Sequence, residues 1–131
     1  MSAADELLRS ARTIAVVGLS SNPLRPSHGV AAYLQAHGYR IIPVNPGETT
    51  VLGETAYSRL EDVPVPVDIV DVFRRSDAVP AIASAAIAVG AKMLWLQEGV
   101  THPAAEAPAR AAGLLVVSDR CILKAHRALR P

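Results

Sequence analysis

The chain has 131 residues, half of them hydrophobic but only 4% aromatic, with 13 Lys and Arg against 12 Asp and Glu and a formal net charge of +1. That length suits one domain, whose core must be built from Ala, Val, Leu and Ile. The near-neutral balance argues against a non-specific nucleic-acid binder while leaving room for a basic patch around one small anion. The single cysteine, Cys121, excludes an intrachain disulfide and fits a reducing compartment. The opening "MSAADELLRSAR" is charged and lacks a signal peptide's apolar stretch, and no apolar run approaches the length of a membrane span. The expectation is a cytoplasmic protein with no membrane or nucleic-acid partner.

Strand and helix signals alternate along the whole chain. "ELLRSAR" predicts a short leading helix, and "TIAVVGL" a β-branched strand closed by Gly18. In "SHGVAAYLQAHG", Val30, Ala31, Leu34 and His37 fall at helical spacing, with Ser27 as N-cap and Gly38 as the stop. "YRIIPVNP" predicts a second strand whose Pro43 implies a bulge or a poorly paired position. Residues 47–62 are irregular, with "TVLG" as a short strand and "AYSRLEDV" as a short helix. Then come the strand "VDIVDVF", a helix from Ser76 or Asp77 to Gly90 with Pro80 in its first turn, and the strand "KMLWLQEG". "THPAAEAPARAAG" predicts a helix, "LLVVSD" a strand and "RCILKAHRALR" a closing helix.

The strands "TIAVV", "DIVDVF", "KMLWL" and "LLVV" are nearly continuous apolar runs, as in parallel strands covered by helices on both faces. Alternation with short connections then predicts a Rossmann-like, doubly wound, mostly parallel α/β sheet of about five to six strands. Ligands of such sheets bind beyond the carboxyl ends of the strands, so those ends carry the functional candidates.

After the first strand, Gly18 permits a tight turn, and the next helix offers N–H groups and a positive dipole end for phosphate. Ser20, Ser21, Asn22 and Ser27 add polar groups and Arg25 a guanidinium suited to phosphate. The dinucleotide fingerprint wants further glycines where Ser20 and Pro23 stand, and an acid after the second strand where Asn45 and Pro46 stand. Both departures count against NAD, although "NPG" also reads as a plain turn. Phe73, Arg74 and Arg75 follow the third strand as a second basic cluster, with Phe73 able to wall an apolar or adenine pocket. Gln97, Glu98 and Gly99 end the next strand, where polar groups are seldom needed for folding; Trp95 reads as a core residue more readily than as a ligand platform.

Catalytic patterns are poor. His28, His37, His102 and His126 are scattered without metal-ligand spacing, and there is no GxSxG or GxxxxGK[ST]. No nucleophile, base and orienter stand out, so a binding protein rather than an enzyme is expected. Cys121 is expected in the first turn of the closing helix, capped by Ser118 or Asp119. There, where the last strand ends and near the expected cleft, it is either a buried packing thiol or an activated one.

The segments "VGLSSNPLRPSHGVAAYL", "PVNPG", "VLGETAYSRLEDVP", "VDIVDVFRRSDAVPAIASAAIAVGAKMLWLQEGV" and "AGLLVVSDRC" resemble, in this order, the small stand-alone CoA-binding proteins. These are in turn similar to the CoA-binding domain of the succinyl-CoA synthetase α subunit. The resemblance covers residues 10–127. It implies coenzyme A or an acyl-CoA lying across the strand ends, with the phosphates on Gly18, Ser20, Ser21, Asn22, Arg25 and Ser27. It also implies the nucleotide beside Asn45 and Pro46, and the cleft completed by Phe73, Arg74, Gln97, Glu98 and Gly99. Members often carry a lysine where this chain has Gly47, and the synthetases' phosphorylated histidine lies in a second domain that has no counterpart in this sequence, so their ligase chemistry does not carry over. The competing readings are an NAD(P)-dependent oxidoreductase-like domain and a ligand-free regulatory or interaction domain on the same scaffold.

Overall fold

A computed structural model describes residues 1–130. Five strands form the main sheet: β1 (Thr13–Val17), β2 (Arg40–Val44), β5 (Ile69–Val72), β6 (Met93–Leu96) and β7 (Leu115–Val117). Their order is β2-β1-β5-β6-β7, and every neighbouring pair is parallel. The sheet is thus fully parallel and of the Rossmann-like, doubly wound kind expected, with five strands in it. The remaining strands, β3 (Thr50–Val51) and β4 (Glu54–Thr55), make a small antiparallel hairpin.

Side-chain alternation assigns the two faces. Ile14, Val16, Ile69, Met93 and Trp95 pack with Leu8 of α1 (Ala3–Ser10), Val30, Ala31 and Leu34 of α2 (Pro26–Ala36), and Ile122 and Ala125 of α5 (Ile122–Leu129). Ala15, Val17, Val70, Val72, Leu94 and Leu96 pack with α3 (Val79–Ala88) and α4 (Pro103–Ala111) through Val79, Ala83, Ala86, Ala105 and Ala109. Small residues on α3 and α4 let these helices lie close to the sheet, so a core poor in aromatics still closes. Trp95, with no exposed surface, is a core residue, and its indole N–H donates to the Arg120 carbonyl at 2.7 Å.

Several local expectations need correction. Pro43 causes no bulge: β2 pairs with β1 in regular register through Val16–Pro43. The Pro43 carbonyl accepts from Tyr57 N–H on the outer side, so the proline nitrogen points the same way and removes no bond to β1. "AYSRLEDV" forms only a 3-10 turn, Leu60–Asp62. Ser76 and Asp77 lie in another 3-10 turn, and α3 begins at Val79 with Pro80 in its first turn. Ser27 is not the cap of α2. That position is Arg25, followed by Pro26, and Ser27 lies inside the first turn. The closing helix starts two or three residues later than expected: its N-cap is Cys121, with extended backbone, and neither Ser118 nor Asp119 caps it.

Candidate functional site

The chain leaves β1 toward β2 on one side, then crosses back to place β5 on the other. The switch point of this sheet therefore lies between the carboxyl ends of β1 and β5. Gly18 and Phe73 are the residues that follow those ends. Gly18 has φ +89°, and a Cβ there would sit 2.4 Å from the Phe73 carbonyl oxygen and 3.0 Å from the Arg74 side chain. Only glycine lets the two strand ends, and the Arg74 side chain lying over them, approach this closely.

A cleft of about 740 Å³ opens at this point. That is the size of an ordinary cofactor site. Of the residues expected there, Gly18, Ser20, Arg25, Ser27, Asn45, Phe73, Arg74, Gln97 and Glu98 line it. Ser21, Asn22, Pro46 and Gly99 do not line it. Ser21, Asn22 and Pro46 are exposed, Pro46 in a turn. Gly99 has φ +83° and donates its N–H to Asp119 Oδ1 at 2.7 Å, tying the ends of β6 and β7 together. The site-residue expectations omitted Pro26, Val30, Val100 and Cys121; Arg75, named with the basic cluster, also lines the cleft. Val30 and Val100 are apolar residues with no local mark of function. Cys121 was expected beside the end of the last strand and so near the cleft, and it does line it.

Hydrogen bonding defines what the lining can offer. Between Ser20 and Pro26, each backbone N–H already has an acceptor: Ser20 N–H donates to Ser27 Oγ, Ser21 N–H to Glu48 Oε2, Asn22 N–H to Ser20 Oγ, Leu24 N–H to Asn22 Oδ1, and Arg25 N–H to the Asn22 carbonyl. Pro23 and Pro26 have none to offer. The backbone donors of this loop are therefore already engaged. What it presents are hydroxyls. Ser20 and Ser27 each use Oγ as an acceptor, which leaves each O–H free to donate into the cleft.

Asn45 joins two loops. Its Nδ2 donates to the Leu19 carbonyl at 3.1 Å, and its Oδ1 accepts from Gly47 N–H at 3.0 Å. Gly47, where a lysine would extend, thus contributes only a turn. Gln97 has a folding role that the sequence reading denied it. It is buried, and its Oε1 accepts Ile122 N–H at 3.0 Å, capping α5. Its Nε2 remains as a donor. Glu98 is exposed and pairs with Lys124 at 3.3 Å.

Charge in the cleft is basic. Arg75 lies 3.6 Å from Asp77, a highly exposed pair that contributes little. Among the described residues, Arg25 and Arg74 have neither an ion-pair partner nor a side-chain hydrogen bond. Two unpartnered guanidinium groups face one cleft across the switch point, with Phe73, Val30 and Val100 as its apolar parts.

One row below the floor, Asp71 lies between Val16 and Trp95 in the sheet register. It is fully buried, and neither carboxylate oxygen has a partner among the described residues. Burial raises its pKa well above the ordinary value of 3.8.

A parallel α/β sheet with a basic, partly apolar cleft at its switch point defines the class of Rossmann-like ligand-binding domains. Residues 12–127 match the CoA binding domain family. A Bacillus subtilis (strain 168) protein, YneT, is 42% identical over 121 residues, covering 92% of this chain and 90% of its own. A Thermus thermophilus protein of solved structure, cell-free ID.343, is 41% identical, with a TM-score of 0.92 and 95% of each chain covered. The acetyl-coenzyme A synthetase 1 of Ca. Korarchaeum cryptofilum shares the fold at 23% identity and a TM-score of 0.75, over 88% of this chain and 28% of that one. The chain belongs to the CoA binding domain family.

Proposed function

We propose that the cleft binds coenzyme A or an acyl-CoA and performs no chemistry on it. The observation that carries this reading is the pair of unpartnered guanidinium groups, Arg25 and Arg74, facing one cleft. Coenzyme A brings a pyrophosphate and a 3′-phosphate, and a guanidinium grips such groups through two N–H bonds. The Ser20 and Ser27 hydroxyls add donors, while Phe73, Val30 and Val100 suit the pantetheine arm or the adenine face.

The polar lining residues after β6 already have structural partners. Gln97 caps α5, Glu98 pairs with Lys124, and the described cleft side chains include no nucleophile beside a general base. NAD fits less well. The Asn45 side chain at the end of β2 is committed to Leu19 and Gly47, and the acid that follows, Glu48, turns its Oε2 to Ser21 N–H in the first loop.

Thermal unfolding with each ligand tests the reading. Coenzyme A at about a hundred times its Kd adds roughly 2.7 kcal/mol, a Tm rise of several degrees for a domain of this size. NAD at the same concentration should give no comparable rise. Arg25→Ala should weaken coenzyme A binding by about 1.5–3 kcal/mol without lowering the unliganded Tm. Equal shifts from the two ligands, or an unaffected Arg25→Ala protein, would overturn the assignment.

A further inference from the structure

The first loop is almost self-contained in its hydrogen bonding, with one exception. The acceptors for Ser20, Asn22, Leu24 and Arg25 N–H all come from residues 20–27. Ser21 N–H alone donates outside that segment, to Glu48 Oε2 at 2.7 Å across 27 positions of sequence. The short distance is that of a charge-assisted bond. The Ser21 backbone N–H, and then its side chain, hold the Glu48 carboxyl below its ordinary value of 4.5, so the carboxylate is the form that accepts.

The position of Glu48 is itself fixed. Its own N–H donates to the Asn45 carbonyl at 3.1 Å, closing the turn after β2, while Asn45 Oδ1 accepts from Gly47 N–H. Asn45 Nδ2 then reaches the Leu19 carbonyl. Two ties therefore run from the β2 turn to the β1 loop, one on each side of Ser20. Ser20 lines the cleft and neither Ser21 nor Glu48 does, so the tie lies outside the cleft lining.

We propose that Glu48 is a positioning residue for ligand binding: its carboxylate clasps the first loop from outside the cleft lining and holds Ser20 and Arg25 toward the cleft. An exposed loop with two prolines and few buried anchors would otherwise sample several arrangements, and a ligand would have to order it on binding. The clasp supplies that order beforehand. This inference rests on the coenzyme A reading for its effect on affinity, but not for the clasp itself.

Two variants and two readouts test it. Glu48→Ala removes the acceptor, and Glu48→Gln keeps an oxygen for Ser21 while removing the charge. In the unliganded protein, Glu48→Ala should speed hydrogen exchange of the Ser21 amide by about tenfold or more, the scale of one charge-assisted bond. Glu48→Gln should keep most of the protection. Titration with coenzyme A should show Glu48→Ala weakened by about three- to tenfold and Glu48→Gln within about twofold of the parent. Unchanged Ser21 exchange in Glu48→Ala would overturn the clasp. Tighter coenzyme A binding by both variants would overturn it as well, because Glu48 would then act as a repelling charge. If the parent protein binds no coenzyme A, the functional reading fails while the exchange result still decides the clasp.

Discussion

Replacing Asp71 with Asn tests whether a fully buried, unpartnered carboxyl lies in the sheet below the cleft. In the unfolded chain this group ionises near 3.8, whereas burial keeps it protonated well above that value in the folded state. Between those two pKa values the native protein holds one more proton than the unfolded chain. Stability therefore falls as pH rises through that window, by about 1.4 kcal/mol per pH unit, and levels off once the folded pKa is passed. Asn has nearly the same shape and carries no titrating proton, so its protein lacks this slope. Urea denaturation of both proteins at pH 5, 6, 7 and 8 gives the relevant quantity, ΔG of Asp71→Asn minus ΔG of the parent. Every other titrating group cancels in that difference when the unfolding is two-state. The difference should rise in favour of Asp71→Asn as pH increases, until the folded pKa is passed. A flat difference from pH 5 to 8 would mean that Asp71 is already ionised in the folded protein at pH 5, and a carboxyl kept neutral by burial above that pH would be refuted.

Two further outcomes follow from the cleft. Gly18→Ala should destabilise the protein by about 2 kcal/mol or more, because a left-handed φ and a 2.4 Å contact with the Phe73 carbonyl add together. Gly38→Ala, with φ +94° and open space at the Cβ position, should lose less; equal losses in urea denaturation would mean that the close approach at Gly18 costs nothing beyond its φ. Cys121 lines the cleft as a nearly buried thiol. An acyl-CoA, whose sulfur is blocked, at ten times its Kd should slow alkylation of that thiol about tenfold, in proportion to the free protein left. An unchanged labelling rate, followed by intact mass, would place the ligand elsewhere.

Much of the architecture was legible in the sequence because its signals are local. Runs such as "TIAVV" and "KMLWL" have no polar face, so each demands cover on both sides, and glycines at 18, 38, 90 and 113 mark where strands or helices stop. Placing the candidates at strand ends then put nine of thirteen named residues on the cleft. The misreadings were of the same local origin. Ser27 looked like a cap because it precedes an apolar helix, and Pro43 like a bulge because proline lacks a donor.

Tertiary structure alone decided what each polar group is free to do. Gln97 caps a helix that begins 25 residues later, Ser21 is held by Glu48 27 residues away, and Asn45 reaches Leu19 across 26. No spacing rule links such pairs, because the partner depends on where the crossovers set each loop in space. The same holds for Asp71, whose missing partner is visible only once Val16 and Trp95 flank it. Local chain chemistry fixed where the cleft lies; long-range hydrogen bonding and burial fixed which of its groups remain available, because a donor or acceptor already satisfied within the fold has little to offer a ligand.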